Sequence, residues 1–272
     1  MLFATAICAA DLSRAEDLFN RTDYAGSLAL LDRNSPDPAT NFLIGRNHLM
    51  SGDFKKATDY LEKAVAGAPD NSDYQDWLGR AYGKRAETSN ILSAPGLASK
   101  ARRSFEKAVE VNPSNRDALD DLFDYYLNAP GFMGGGYDKA EGVANRIAAL
   151  DPAEGLFDRS KLDEKVKNYS NAEQHLRQAI AFAPRSIGHV IALARLLARE
   201  GRTEESEAVF AQGEKMAPGS PRLMFAHADV LIKQKRDLDE AKTLLKKYLQ
   251  SPITADDPPR EEASRLLKQA GG

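Results

Sequence analysis

The stretch IGHVIALARLLAREGRTEESEAVFAQGEKMAPGS, from Ile187 to Ser220, decides the fold. Apolar residues recur every three to four positions on both sides of a break at Gly201-Arg202-Thr203. That is the spacing of two amphipathic helices joined by a short turn. Ala194 sits mid-way along the first helix and Ser206 early in the second, with Phe210 four residues on and Gly213 three further. Small side chains let two helix axes approach, and the larger residue one turn on fills the groove this opens. Pro184 and Pro218 close successive pairs, a period of about 34 residues.

Outward from this unit the same residue types return. Gly45, Gly79, Ser160 and Ala228 hold the first small position, and Ala57, Ala101, Ala140 and Ala172 the second. Leu61, Phe105 and Leu176 supply the bulky partner, followed by Ala64, Ala108 and Ala179. Pro69, Pro113 and Pro152 close further pairs. Gly52-Asp53 and Asn168-Tyr169-Ser170 break helices within pairs, while Asp70-Asn71-Ser72, Pro113-Ser114-Asn115 and Pro218-Gly219-Ser220 do so between them.

On these positions the chain resembles the tetratricopeptide repeat family. The resemblance implies an all-α fold, an α-solenoid of antiparallel helix pairs wound as a right-handed superhelix. No pair can bury its apolar face alone, so neighbours must stack. Six units start near Pro38, Ser72, Arg116, Ala153, Ile187 and Pro221, and a shorter pair, Leu12 to Leu18 and Tyr24 to Leu31, caps the N-terminal end. The repeats are expected over residues 11–257, with residues 258–272 as a C-terminal capping helix. The family's usual first-helix tryptophan is absent. Trp77 lies two places along from it and is expected in the core, as most aromatics on helical faces are.

Composition bounds the function without naming it. Among 272 residues, 37 Lys and Arg against 40 Asp and Glu leave a net charge of -3. Such a balance argues against a general nucleic-acid binder, which needs clustered cations. No apolar run approaches the roughly 18 residues of a membrane span. Residues 1–10, MLFATAICAA, are small, apolar and uncharged. They read as the remnant of a secretory signal peptide, which predicts export to a periplasm or the exterior; the alternative is a cytoplasmic chain with an apolar N-terminus packed on the first helix. Cys8 is the only cysteine, and a cut after Ala9 or Ala10 removes it. The mature chain then has no disulfide and no thiolate site.

Two units carry insertions at the same turn: about ten residues within 84–100 and about five within 128–140, relative to the repeat length. They are expected to be neighbours in space. Ile91, Leu92, Leu97, Phe132, Met133 and Tyr137 give them apolar material. Phe132, Met133 and Tyr137 are candidate partner contacts on this rim. Gly131 and Gly136 have the spacing of a phosphate-binding loop, but Tyr137 and Asp138 stand where Lys and Ser or Thr are needed. A chain-reversing turn is the better reading.

In the family the first helices line a concave face with their second, fifth, sixth and ninth positions. Carried over, these give Asp117, Asp120, Asp121 and Asp124, whose spacing puts all four on one helical face. Asp73, Asp76, Arg80 and Lys84 precede them, Arg46 belongs to the first unit, and Lys161, Arg195 and Arg199 follow. The expected site is a groove, acidic in its middle, that takes a basic peptide segment. The bland alternative is a solvated face neutralised by Arg80 and Arg116. The two-carboxylate clamp of chaperone-binding relatives is missing, because its Lys and Asn positions hold Phe42 and Arg46, Asp76 and Arg80, or Asp120 and Asp124.

No reaction emerges from the sequence. His48, His175, His189 and His227 are dispersed with no partner histidine three or four residues away, and His48 is expected as a hydrogen-bonded core residue. No nucleophile elbow is present. The expectation is a non-catalytic protein-binding scaffold with no cofactor, metal or nucleic acid. An accessory subunit that makes contact through the two insertions is the runner-up, and an enzyme with a grafted acidic site a remote third.

Overall fold

The computed structural model describes residues 2–254 and 257–271, with side chains from Asp11 onward. The leader reading of residues 1–10, Cys8 included, falls on residues whose side chains lie outside that set. Among the described residues every regular element is helical.

The chain divides into two compact units, residues 1–150 and 151–272. In the first, α1 (Leu2–Asn20) pairs with α2 (Tyr24–Ala29), α3 (Pro38–Met50) with α4 (Phe54–Gly67), α5 (Ser72–Glu87) with α6 (Ala94–Val111), and α7 (Arg116–Asn128) with α8 (Tyr137–Leu150). A single 3-10 turn, Gly131–Met133, precedes α8. In the second unit α9 (Pro152–Lys165) pairs with α10 (Tyr169–Phe182), α11 (Ile187–Arg199) with α12 (Thr203–Met216), and α13 (Pro221–Lys233) with α14 (Leu238–Gln250). The last helix, α15 (Arg260–Gln269), packs on α13 and α14.

Helix starts follow from short polar side chains. Asp37, Asp53, Asn71, Asn115, Asp151 and Asn168 each accept a backbone N–H of the first turn, satisfying donors that the helix cannot pair itself. Within pairs one turn recurs. Thr22, Gly52, Lys167, Gly201 and Lys235 have φ between 52° and 81°. The next residue in each case donates its N–H to the carbonyl five residues back, at 2.8–3.0 Å. This is the Schellman closure, and it needs a left-handed residue.

The small positions are contact points between helix axes. A Cβ on Gly45 would lie 2.6 Å from Leu61 Cγ, and one on Gly79 2.5 Å from Phe105 Cε1. In the second unit the Ser206 hydroxyl donates to the Ala194 carbonyl at 2.9 Å, and Gly213 faces Leu223 and Val190. Around these points close two cores of the second unit, one under α11 centred on Leu196 and Leu197, the other joining Leu231, Leu245 and Tyr248 to Ala263 and Leu266 of α15.

Two expectations are corrected. Trp77 is half-buried, not in the core, because its ring sits on the first-helix face against two guanidinium groups. His48 is also half-buried; it stacks on Tyr60 at 5.8 Å, and burial lowers its pKa.

The first insertion is spent mostly on lengthening α5 and α6, so only residues 88–93 connect them. The second forms the 3-10 turn and folds onto α6, where a Cβ on Gly134 would meet Arg102 Nε at 2.8 Å. The second insertion thus lies against α6 just past the first. Gly134 has φ +91°, and a Cβ on Gly135 would collide with the Ala129 carbonyl. These glycines serve a tight chain reversal, closed by Gly136 N–H donating to the Tyr126 carbonyl at 2.8 Å.

Candidate functional site

In residues 1–150 the first helices carry a ladder of rings and charges. Phe42 stacks on Tyr74 at 4.4 Å, and Trp77 meets Phe42 edge-on at 6.2 Å. The Arg46 guanidinium lies 4.2 Å from the Phe19 ring centre and 4.7 Å from that of Trp77, and the Arg80 guanidinium lies 4.9 Å from that of Trp77. Cations over indole faces are held by the ring quadrupole. Arg46 also pairs with Glu16 at 3.1 Å.

Arg80 is the hub of the aspartates. It pairs with Asp76 at 2.9 Å, Asp117 at 3.8 Å and Asp121. Asp76 is only 2% exposed. Burial, with the Asp121 carboxylate beside it, pushes its pKa up to about 8 against the pull of Arg80, and burial raises that of Asp121 too. The two carboxyl groups thus face one guanidinium, and burial favours the protonated form of each. Asp120 pairs with Arg116 at 2.9 Å, and Asp73 accepts from Asn115 at 2.8 Å. Asp73, Asp117 and Asp124 are exposed. Lys84, grouped with them in the sequence, turns to Glu87 at 2.9 Å.

The rim residues stand apart from this face. Phe132 and Tyr137 are exposed, as are Ile91 and Leu92. Met133 is partly buried, and its carbonyl accepts from the Tyr125 hydroxyl at 2.8 Å.

Residues 151–272 contain a trough of about 1000 Å³ walled by α9, α11 and α13, with Pro258 and Glu262 at one end. Its floor is apolar: Ile191, Ala192, Phe225, Ala226 and Val230. Lys161, Arg195 and Arg199, the later-unit positions carried over from the resemblance, all line it. Arg195 pairs with Asp229 at 3.4 Å, Arg199 with Glu164, and Lys161 with Asp158 at 3.4 Å while lying over Phe157. Arg222 and Lys233 also line it and were missed. The signal was present: they stand one repeat length beyond Gly188 and Arg199, just as Asp229 stands one beyond Arg195.

The histidines of this unit each face a carboxylate: His175 meets Asp163 at 2.7 Å, His189 meets Glu154 at 3.1 Å and His227 meets Glu207 at 2.8 Å. These pairs tie helices together. Among the described residues no group of His, Cys, Asp and Glu is placed to hold a metal ion, and no helix is long and apolar enough to cross a membrane.

The tetratricopeptide repeat family model matches residues 191–258, the span from α11 to the approach to α15. Solved structures share the fold beyond that span. A tetratricopeptide repeat protein of Parabacteroides merdae superposes with a TM-score of 0.64 at 16% identity, covering 98% of this chain and 100% of its own. Residues 191–258 thus match tetratricopeptide repeats, and the whole chain has the fold of such proteins. A thermophilic member from Thermus thermophilus gives a TM-score of 0.57 at 21% identity, over 70% of this chain and 98% of its own. A repeat protein fragment from Cytophaga hutchinsonii gives 0.51 at 16% identity, over 94% and 99%. At such identities the likeness between these repeat proteins is one of fold. No curated protein matches the sequence.

Proposed function

We propose that this protein is a non-catalytic scaffold that seats a partner polypeptide segment on its first-helix faces. The observation that carries the reading is the trough of residues 151–272, which combines an apolar floor with charged walls. Apolar pockets with a few fixed polar groups are where ligands anchor. Catalysis finds little support. Asp76, whose pKa is strongly raised, is closed off from solvent and cannot touch a substrate.

In residues 1–150 the exposed Asp73, Asp117 and Asp124, with Asp120 half-exposed, suit a basic segment. Their attraction is softened by Arg80 and Arg116 beneath them. The runner-up, contact through the insertions, is favoured by the exposure of Ile91, Leu92 and Phe132.

Comparing partner retention by three proteins separates the readings: the native chain, Ala192→Trp, which fills the trough, and Ile91→Ser/Leu92→Ser/Phe132→Ser. Loss of the retained partner in Ala192→Trp alone supports the trough. Loss in the triple variant alone transfers the function to the insertions.

A further inference from the structure

Both units carry inter-helix ion pairs on their first-helix faces, but the outermost members of these pairs differ in sign. In residues 1–150 Glu16 lies outside Arg46, at 52% against 15% exposed, and Asp117 outside Arg80, at 75% against 29%, although Asp76 is buried beneath that same arginine. In residues 151–272 the carboxylates lie beneath. Asp229 is 11% exposed, and its partners Arg195 and Lys233 are 44% and 72% exposed. Glu164 is likewise the deeper member of its pair, with Arg199 at 58%. Asp158 is buried under Lys161.

A half-buried carboxylate holds the stem of its arginine or lysine but uses only part of the donor fork. A guanidinium has five N–H donors in a rigid plane, enough to keep an internal partner and take an external carboxylate as well. The solvent side of the trough is therefore a set of pre-positioned cationic heads, Arg195, Arg199 and Lys233, above an aliphatic floor. Between them Gly188, Ala192, Ala198 and Ala226 leave depth for bulky apolar side chains. The only aromatic rings in the lining are Phe157, already covered by Lys161, and the buried Phe225, so no stacking platform for bases is offered.

We infer that the trough of residues 151–272 receives an acidic polypeptide segment, whose carboxylates engage Arg195, Arg199 and Lys233 while its apolar side chains enter the floor. This rests on the reading that the trough is the partner seat, and it gives the segment bound here the opposite charge to the one expected at the acidic stripe. The occupant is specified by two independent features, exposed positive heads and a small-residue apolar floor. Neither alone would choose it.

The test uses fluorescence anisotropy with the full chain and three labelled probes: a 16-residue peptide of alternating Glu and Leu/Phe turns, the same peptide with every Glu replaced by Lys, and a single-stranded oligodeoxynucleotide of equal negative charge. The acidic peptide is expected to bind at least about tenfold tighter than its Lys counterpart at low salt, with affinity falling as salt rises. Lys233→Glu, at the most exposed head, and Arg195→Gln/Arg199→Gln are each expected to weaken it several-fold with unchanged circular dichroism. Tighter binding of the Lys peptide or of the oligonucleotide overturns the inference, as does acidic-peptide binding that survives both variants intact. The scaffold reading fails separately: it falls when Ala192→Trp leaves partner retention untouched. A basic partner lost with Ala192→Trp would keep the trough as the seat and sink only the acidic occupant.

Discussion

At the scale of single residues the energetics hinge on what a side chain displaces. Asp76 keeps its proton in the folded state up to about pH 8, whereas an unfolded aspartate releases it near pH 4. Between these values the folded chain binds more protons than the unfolded one, so stability falls as pH rises through that window and levels off above it. Thermal midpoints measured from pH 4.5 to 8.5 should therefore show a steeper decline for the native protein than for Asp76→Asn, which is neutral throughout. Parallel curves would contradict the raised pKa of Asp76. Gly79 makes a second case. With Phe105 already at contact distance, Gly79→Ala is expected to cost about 1–3 kcal/mol through overpacking. Gly83, in the same helix with no neighbouring atom within 4 Å of a would-be Cβ, should behave oppositely, Gly83→Ala gaining about 0.5–1 kcal/mol from helix propensity. Urea denaturation of the two variants distinguishes crowding from propensity.

At the scale of elements, the repeat is a pair of helices closed by a left-handed residue. Gly52 and Gly201 fill that position with no atom near a would-be Cβ, so Gly52→Ala should cost about 1 kcal/mol from backbone strain alone. An unchanged denaturation midpoint would mean that the turn relaxes. Much of this was legible in the chain. Glycine followed by a capping residue marked the turns, and small residues opposite Leu61 and Phe105 marked the axis contacts. Thr22, Lys167 and Lys235 were not legible as left-handed, because the hydrogen bonds of the flanking helices impose that conformation on residues that do not prefer it. Trp77 was misplaced for a similar reason. Periodicity tells which face a residue occupies, but not that two guanidinium groups will make a half-exposed indole comfortable there. The insertions misled only in form, since α5 and α6 absorbed by extension what the repeat length presented as a loop.

At the scale of the molecule, composition conceals the electrostatics. A net charge of -3 over the chain averages a carboxylate-faced unit and a cation-faced one, each with its counterions tucked beneath. The acidic stripe was visible as Asp117, Asp120, Asp121 and Asp124, yet its partial neutralisation by Arg80 needed the next repeat in space. Arg222 and Lys233 complete the opposite face and become visible only when the repeat length is applied to Gly188 and Arg199. For the first unit a salt series with a lysine-rich peptide should show affinity that falls with ionic strength and drops further in Asp120→Asn/Asp124→Asn; insensitivity to both would remove that face from the account. For the scaffold as a whole the most direct measurement is site-specific photocrosslinking, with a benzophenone amino acid placed at Ala192 in the trough floor or at Gln178 on the exposed side of α10. Adducts to a partner polypeptide from Ala192 and none from Gln178 are the expected result; adducts from Gln178 with a silent Ala192 would contradict it.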